Sequence, residues 1–187
     1  DMLNEFASTT YPSTYFSKAI DYDGGEYGIA TASKYELTDA KTVNVDSTGA
    51  TEQRVYQRMV FKKGNYEIAF YNTHLSYETK AIRKKQMEEL KTAIQNDSTP
   101  YIIVTGDFNA DQHRSEFNLF LEELDMVNGY QGKWYDTFNG VDETMKVNSV
   151  DNILVSRNLA IEDIEMVETS LSDHNLLLAQ VKFLDEP

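Results

Sequence analysis

Four short segments, spread over about a hundred residues, carry the groups that hydrolysis of a phosphate ester requires. They are Asn72-Thr73-His74-Leu75, Gly106-Asp107-Phe108-Asn109, Val150-Asp151-Asn152-Ile153 and Ser172-Asp173-His174. The reaction needs a positioned water, a base for its proton, and cationic or hydrogen-bonding groups around the phosphoryl oxygens. Asp107 follows an apolar run through Gly106, whose missing side chain lets another group approach closely. Asn109 shares the direction of Asp107 if the segment stays extended, pairing a carboxylate acceptor with an amide donor. Taken alone, the same four residues read better as an Asx-turn that closes a strand.

His74 ends the strand-like stretch from Tyr66, with Asn72 two residues earlier on the same side. A lone histidine at a strand end is more often structural than chemical. His174 says more, because Asp173 precedes it and an apolar run follows. Asp151 sits in an otherwise apolar stretch, where an unpaired carboxylate is costly, so it requires a partner. His174 is the natural one: a carboxylate on one ring nitrogen fixes the tautomer and orientation of the imidazole. His113, the remaining histidine, lies in a polar loop and reads as solvated.

The elements that must position these residues are legible as a sheet-rich α/β pattern. Gly24-Gly25 marks a turn, and strands are expected at Tyr27 to Ser33, Thr42 to Val45, Tyr56 to Phe61 and Tyr66 to Tyr71, the last two joined by a hairpin at Lys63-Gly64-Asn65. Glu78 to Ile94 is the strongest helix, with Ile82, Met87, Leu90 and Ile94 near one face. Tyr101-Ile102-Ile103-Val104 has the continuous apolar character of a strand buried on both faces. A second helix is expected from Ser115, an N-cap residue type, on the spacing of Phe117, Phe120, Leu121 and Leu124. Val150 to Val155, Ile161 to Val167 and Leu176 to Phe183 complete the strands, while residues 1 to 23 read as the tail of a helix followed by a loop.

Composition narrows the chemistry. The 187 residues suffice for one domain with a sizeable core, and no repeat or linker divides them. The absence of cysteine removes disulfides, thiol chemistry and sulfur ligands without fixing a compartment, so a soluble cytoplasmic or secreted protein both remain open. No apolar run approaches the roughly 20 residues of a membrane span. A net charge of −14 argues against long nonspecific contact with a nucleic-acid backbone. A divalent cation that neutralises the site locally weakens that objection.

Together the four segments resemble the endonuclease/exonuclease/phosphatase superfamily, over a span from about Gly24 to Phe183. Gly25-Glu26-Tyr27-Gly28-Ile29-Ala30 is similar to the family's glycine-marked strand before a Ser-Lys pair, here Ser33-Lys34. The Gly-Asp-Phe-Asn and Ser-Asp-His segments carry most of the resemblance. It implies the four-layer α/β sandwich of the deoxyribonuclease I-like fold and hydrolysis of phosphate esters with magnesium or manganese as cofactor. It further implies that Asp107 orients or deprotonates the attacking water and that Asn109 holds a phosphoryl oxygen. His174 would stabilise the pentacovalent transition state with Asp151 as partner, Asp173 would serve the metal site, and His74 would contact the phosphate.

One departure stands out. The family's first strands carry an asparagine and then a Gln-Glu pair whose glutamate is the principal metal ligand, and neither precedes Gly24 in this sequence. The expectation is therefore the C-terminal portion of one such domain, residues 1–187, lacking its first strands, with weak metal binding and little activity of its own. An uncovered sheet edge would favour self-association. The alternative is a noncatalytic binding or scaffolding domain that retains the fold; a third reading treats every segment as a turn. The substrate stays open among nucleic acid, phospholipid head group and inositol phosphate.

Overall fold

The apolar run from Tyr101 is buried because both faces of its strand are covered. The computed structural model describes residues 2–7, 10–110, 115–138 and 148–184. In it, strand β6 (Tyr101–Asp107) lies inside a six-stranded sheet with β3 (Thr38–Asn44), β4 (Val55–Lys63), β5 (Tyr66–His74), β7 (Leu124–Met126) and β8 (Asp151–Ser156). The spatial order is β3-β4-β5-β6-β8-β7. β5 and β6 are parallel and every other neighbouring pair is antiparallel. A parallel pair needs a long crossover, supplied here by helix α2 (Lys80–Gln95). Thr79 caps this helix, its hydroxyl accepting from the Ile82 N–H at 3.2 Å.

Ile82, Met87, Leu90 and Ile94 are the buried apolar residues of α2, as their spacing indicates. Met87, Leu90 and Ile94 pack with Ala69, Tyr71, Val104, Phe108 and Leu154 on one face of the sheet. Alternation along the strands sends Ile68, Tyr101 and Val155 to the opposite face, where they meet Leu159, Val181 and Phe183.

That opposite face is covered by two separate hairpins, β1 (Ser13–Tyr22) with β2 (Gly25–Ser33), and β9 (Leu159–Val167) with β10 (Leu176–Phe183). The first hairpin turns through Asp23 and Gly24, both at positive φ (46° and 76°), as a two-residue turn matched to strand twist requires. It is tied to the sheet by the buried amide of Gln57, which donates to the Tyr15 and Ile29 carbonyls and the Ser17 hydroxyl. Helix α1 (Met2–Ala7) rests against this hairpin. No helix among the described residues is long and apolar enough to cross a membrane.

Two sequence expectations need correction. The stretch before Gly24 is not helix and loop alone: after α1 it forms β1, whose alternation is hidden because its buried position is a serine, Ser17. The segment from Ser115 is not an α-helix but a five-residue 3-10 turn (Ser115–Leu119), after which Leu124 opens β7. Tertiary contacts override its helical spacing. Phe117 and Phe120 pack edge-on against Phe108, with ring centroids at 5.1 and 6.0 Å, and the buried Glu116 meets the Arg83 guanidinium at 2.9 Å. His113 lies outside the described residues.

Candidate active site

His74, Asp107 and Asp151 stand in one row across three adjacent strands. His74 of β5 is the register partner of Asp107 of β6, which is in turn the partner of Asp151 of β8. The alternation that sends Ile68, Ile103 and Val155 toward the hairpins carries these three the same way. The row lines a groove of roughly 410 Å³. Ile29 and Ala30 of β2 form one wall, Leu176 and Leu177 of β10 the other, and Asn72, Thr105 and Ile153 lie in its floor. His174 enters from the segment just before β10. It is held by a β-bridge to Phe138 and by the Asn175 N–H donating to the Thr137 carbonyl.

The side chains meet at Asp107. Its Oδ2 lies 3.3 Å from His74 Nε2 and 3.9 Å from His174 Nε2. On the far side of the His174 ring, Nδ1 meets Asp151 Oδ2 at 2.7 Å. The partner that Asp151 requires is thus the residue expected. The other carboxylate oxygen of Asp107, Oδ1, accepts the backbone N–H of Asn109 at 2.8 Å. The Asx-turn and the chemical reading therefore hold together: one oxygen fixes the turn and the other faces both imidazoles.

Asn109 does not continue the strand. It takes a left-handed conformation (φ 48°), and its side-chain nitrogen donates to the Leu75 carbonyl at 2.8 Å. That bond uses one of the amide's two N–H donors and ties the end of β6 to the end of β5. Gly106 makes the close approach of these strands possible. A Cβ there would stand 2.1 Å from the Thr73 carbonyl oxygen.

Charge is distributed unevenly over the site. Burial, then the neighbouring Asp151 carboxylate, push the Asp107 carboxyl well above the usual range. The hydrogen bond with Asp151 raises His174 to about 9, so its ring is cationic at neutral pH. Burial, helped by the positive charges of Arg54 and His174, lowers His74 to about 3, so that ring is neutral. Asp107, Asp151 and His174 bring one polar atom each within 4.8 Å of one another, and the two carboxylates of this group suit a divalent cation. Carboxylate oxygens are what magnesium prefers, and they serve manganese too. Asp173 stands outside this group: it is exposed, with Oδ1 at 3.4 Å from the Ser172 hydroxyl.

Two contributors escape a reading of motifs. Arg54, at the approach to β4, is buried, bonds Glu52 at 2.7 Å and leaves its Nε without a partner among the described residues. Its charge reaches His74 and Asp107. The only sequence signal was a charged residue leading an apolar strand. Asn128 is fully buried and bonds the backbones of Tyr135 and Asp151, fixing the approach to the row. Nothing in its local sequence announces this.

Comparison with known proteins agrees with this geometry. The sequence pattern of the Endonuclease/Exonuclease/phosphatase family matches residues 2–174. The human Nocturnin catalytic domain with bound sulfate superposes with a TM-score of 0.76 at 18% identity, over 97% of this chain and 74% of that one. The Bacteroides thetaiotaomicron mannosyl-6-phosphatase Bt3783 gives 0.68 at 20% identity, over 92% and 78%. Sphingomyelinase C from Streptomyces griseocarneus gives 0.70 at 15% identity, over 96% and 80%. No curated protein matches the sequence. At such identities the likeness speaks for the fold, a deoxyribonuclease I-like α/β sandwich, while the sequence match speaks for descent. The chain belongs to the endonuclease/exonuclease/phosphatase family.

Proposed function

We propose that the chain carries the acid–base centre of a divalent-metal-dependent phosphate-ester hydrolase acting by in-line attack of water. The observation that carries this is the Asp107 carboxylate, 3.3 Å from a neutral imidazole on one side and 3.9 Å from a cationic one on the other. A carboxylate with a raised pKa accepts a proton near neutral pH far better than an ordinary one. Asp107 is therefore the base for the attacking water. His174, cationic and aimed by Asp151, meets the negative charge that grows on the phosphoryl oxygens. His74, neutral, orients the phosphate through a single N–H. Asn109 holds the turn and has a second N–H for a phosphoryl oxygen.

The Asp107 and Asp151 carboxylates would hold a magnesium or manganese ion beside the His174 imidazolium, with Asp173 reaching it through water. Such an ion polarises a phosphoryl oxygen and neutralises charge there. Mannose 6-phosphate-like esters and sphingomyelin-like head groups are the substrates that the names of two structural neighbours suggest, and the family's name adds nucleic acid.

The test is hydrolysis of a chromogenic phosphodiester, with and without magnesium or manganese. It is run on this chain and on a form extended by the family's Gln-Glu strand. Ion-dependent turnover that vanishes in Asp107→Asn supports the proposal. Silence in both forms, ion-independent turnover, or full activity in Asp107→Asn overturns it.

A further inference from the structure

His74 and Asp107 stand on different strands, and one buried ion pair grips the segments that follow them both. Beyond His74, each backbone N–H and C=O of Leu75 and Ser76 has a partner. The Leu75 N–H donates to the Asp107 carbonyl at 2.9 Å, and the Leu75 carbonyl accepts from the Asn109 side chain at 2.8 Å. The Ser76 N–H donates to the buried Gln86 amide oxygen at 2.8 Å, and the Ser76 carbonyl accepts from Arg83 Nη1 at 3.1 Å. The first two bonds reach β6 and its turn; the last two come from α2.

Arg83 also reaches the Asp107 side of the centre. Its Nε and Nη2 both donate to Glu116 Oε1, at 3.1 and 2.9 Å. Glu116 belongs to the 3-10 turn whose Phe117 packs on Phe108, the residue between Asp107 and Asn109. One guanidinium thus joins the segment after His74 to the segment after Asp107.

Stability is a poor account of this pair. Both side chains are buried, and Glu116 Oε2 makes no hydrogen bond among the described residues, with the exposed Lys80 ammonium standing off at 3.9 Å. Desolvated charges with an oxygen left over hold a core no better than well-packed apolar side chains would. Apolar contacts have no direction, however. They cannot present a donor to the Ser76 carbonyl while fixing the 3-10 turn, as a planar guanidinium with five N–H donors can.

We propose that Arg83 is a positioning residue for the reaction centre: by holding Glu116 and the Ser76 carbonyl together, it sets His74 of β5 at its working distance from Asp107 of β6. The proposal rests on the assignment of His74 and Asp107 to the chemistry. Two variants separate geometry from charge and from stability. Arg83→Lys keeps the charge, but one ammonium cannot span both partners. Glu116→Gln keeps the acceptor oxygen and gives up the charge.

Turnover is measured in whichever form of the chain hydrolyses the chromogenic diester. Arg83→Lys is expected to lower kcat at least about thirtyfold with KM within about threefold of the parent. Glu116→Gln is expected to lower the melting temperature more than Arg83→Lys does, because it leaves a buried guanidinium without its counter-charge. Its kcat per folded molecule should nonetheless stay within about threefold of the parent. Parental kcat in Arg83→Lys, a loss of kcat that follows the loss of melting temperature in both variants, or a change confined to KM each overturns the proposal.

The placement is also read without turnover. Amide hydrogen exchange at Leu75 and Asn109, whose N–H groups both donate to Asp107, is expected to quicken about tenfold in Arg83→Lys while the interiors of β4 and β6 keep their protection. Should no form of the chain cleave the diester, the hydrolase reading falls and exchange alone decides: local quickening at Leu75 and Asn109 keeps the positioning role, and unchanged or uniformly faster exchange ends it.

Discussion

Asp107 and Asp151 are direct cross-strand partners, two carboxylates placed opposite one another on the same face of antiparallel strands. Like charges in that position destabilise a sheet, so the arrangement works against the fold that contains it. Asp107→Asn keeps the shape and the oxygen that accepts the Asn109 N–H. It is expected to raise stability by about 1 kcal/mol while lowering hydrolysis by at least about a hundredfold. Denaturant unfolding and turnover on the same preparations check the two signs together.

Asp151 should be read through the histidine it orients. His174 has its pKa raised in the folded state, to about 9. Its stabilising contribution is therefore complete below the unfolded value of about 6.5 and is lost as pH rises through about 9. Asp151→Asn is expected to remove most of this dependence and to move the alkaline limb of the activity profile toward lower pH. Imidazole titration by NMR, with melting curves across that window, measures both.

Gly106→Ala touches no reacting group but should disable the site. The added methyl would press on the Thr73 carbonyl oxygen, forcing β5 and β6 apart where His74 meets Asp107. The expected cost is about 2 kcal/mol of stability with loss of most activity. Unchanged melting would show that the strands relax without strain.

Asp97 offers a control away from the chemistry. Burial opposes its ionisation, but hydrogen bonds from Arg58, Thr99 and Tyr71 outweigh this and hold its carboxyl well below the ordinary range. Its contribution is present above the unfolded pKa of about 3.9 and is lost as pH falls toward the depressed folded value. Asp97→Asn leaves the Arg58 guanidinium short of a partner, and about 3 kcal/mol of destabilisation is expected, with a shallower acid limb of stability. Turnover per folded molecule should not change.

Where local pattern carries the signal, the sequence is readable. The apolar stripe of α2 and the run in β6 predict their own burial, and a carboxylate inside the Val150 to Val155 stretch demands the partner that His174 supplies. What escapes is set by long-range contacts. β1 buries a serine because Gln57, forty residues away, receives it; the Ser115 segment abandons helical spacing for Phe108 and Arg83. The backbone of Asn109 is decided by the Asp107 side chain, which a strand-based extrapolation treats as pointing elsewhere.

The His174 end of the site arrives by a separate route. β9 and β10 form a sheet of their own, which shares no ladder with the strands that bear His74 and Asp107. It adheres through a cluster around Ile68, Tyr101 and Phe183, and through the bridge at Phe138. A hairpin attached in this way is a natural unit of partial unfolding. Its excursions would withdraw the imidazolium while leaving Asp107 in place, which on the proposed reading switches the centre off without melting the domain. Amide exchange in β9 and β10 would then run ahead of exchange in β5 and β6, and anything that tightened the hairpin's grip would act as an activator from a distance.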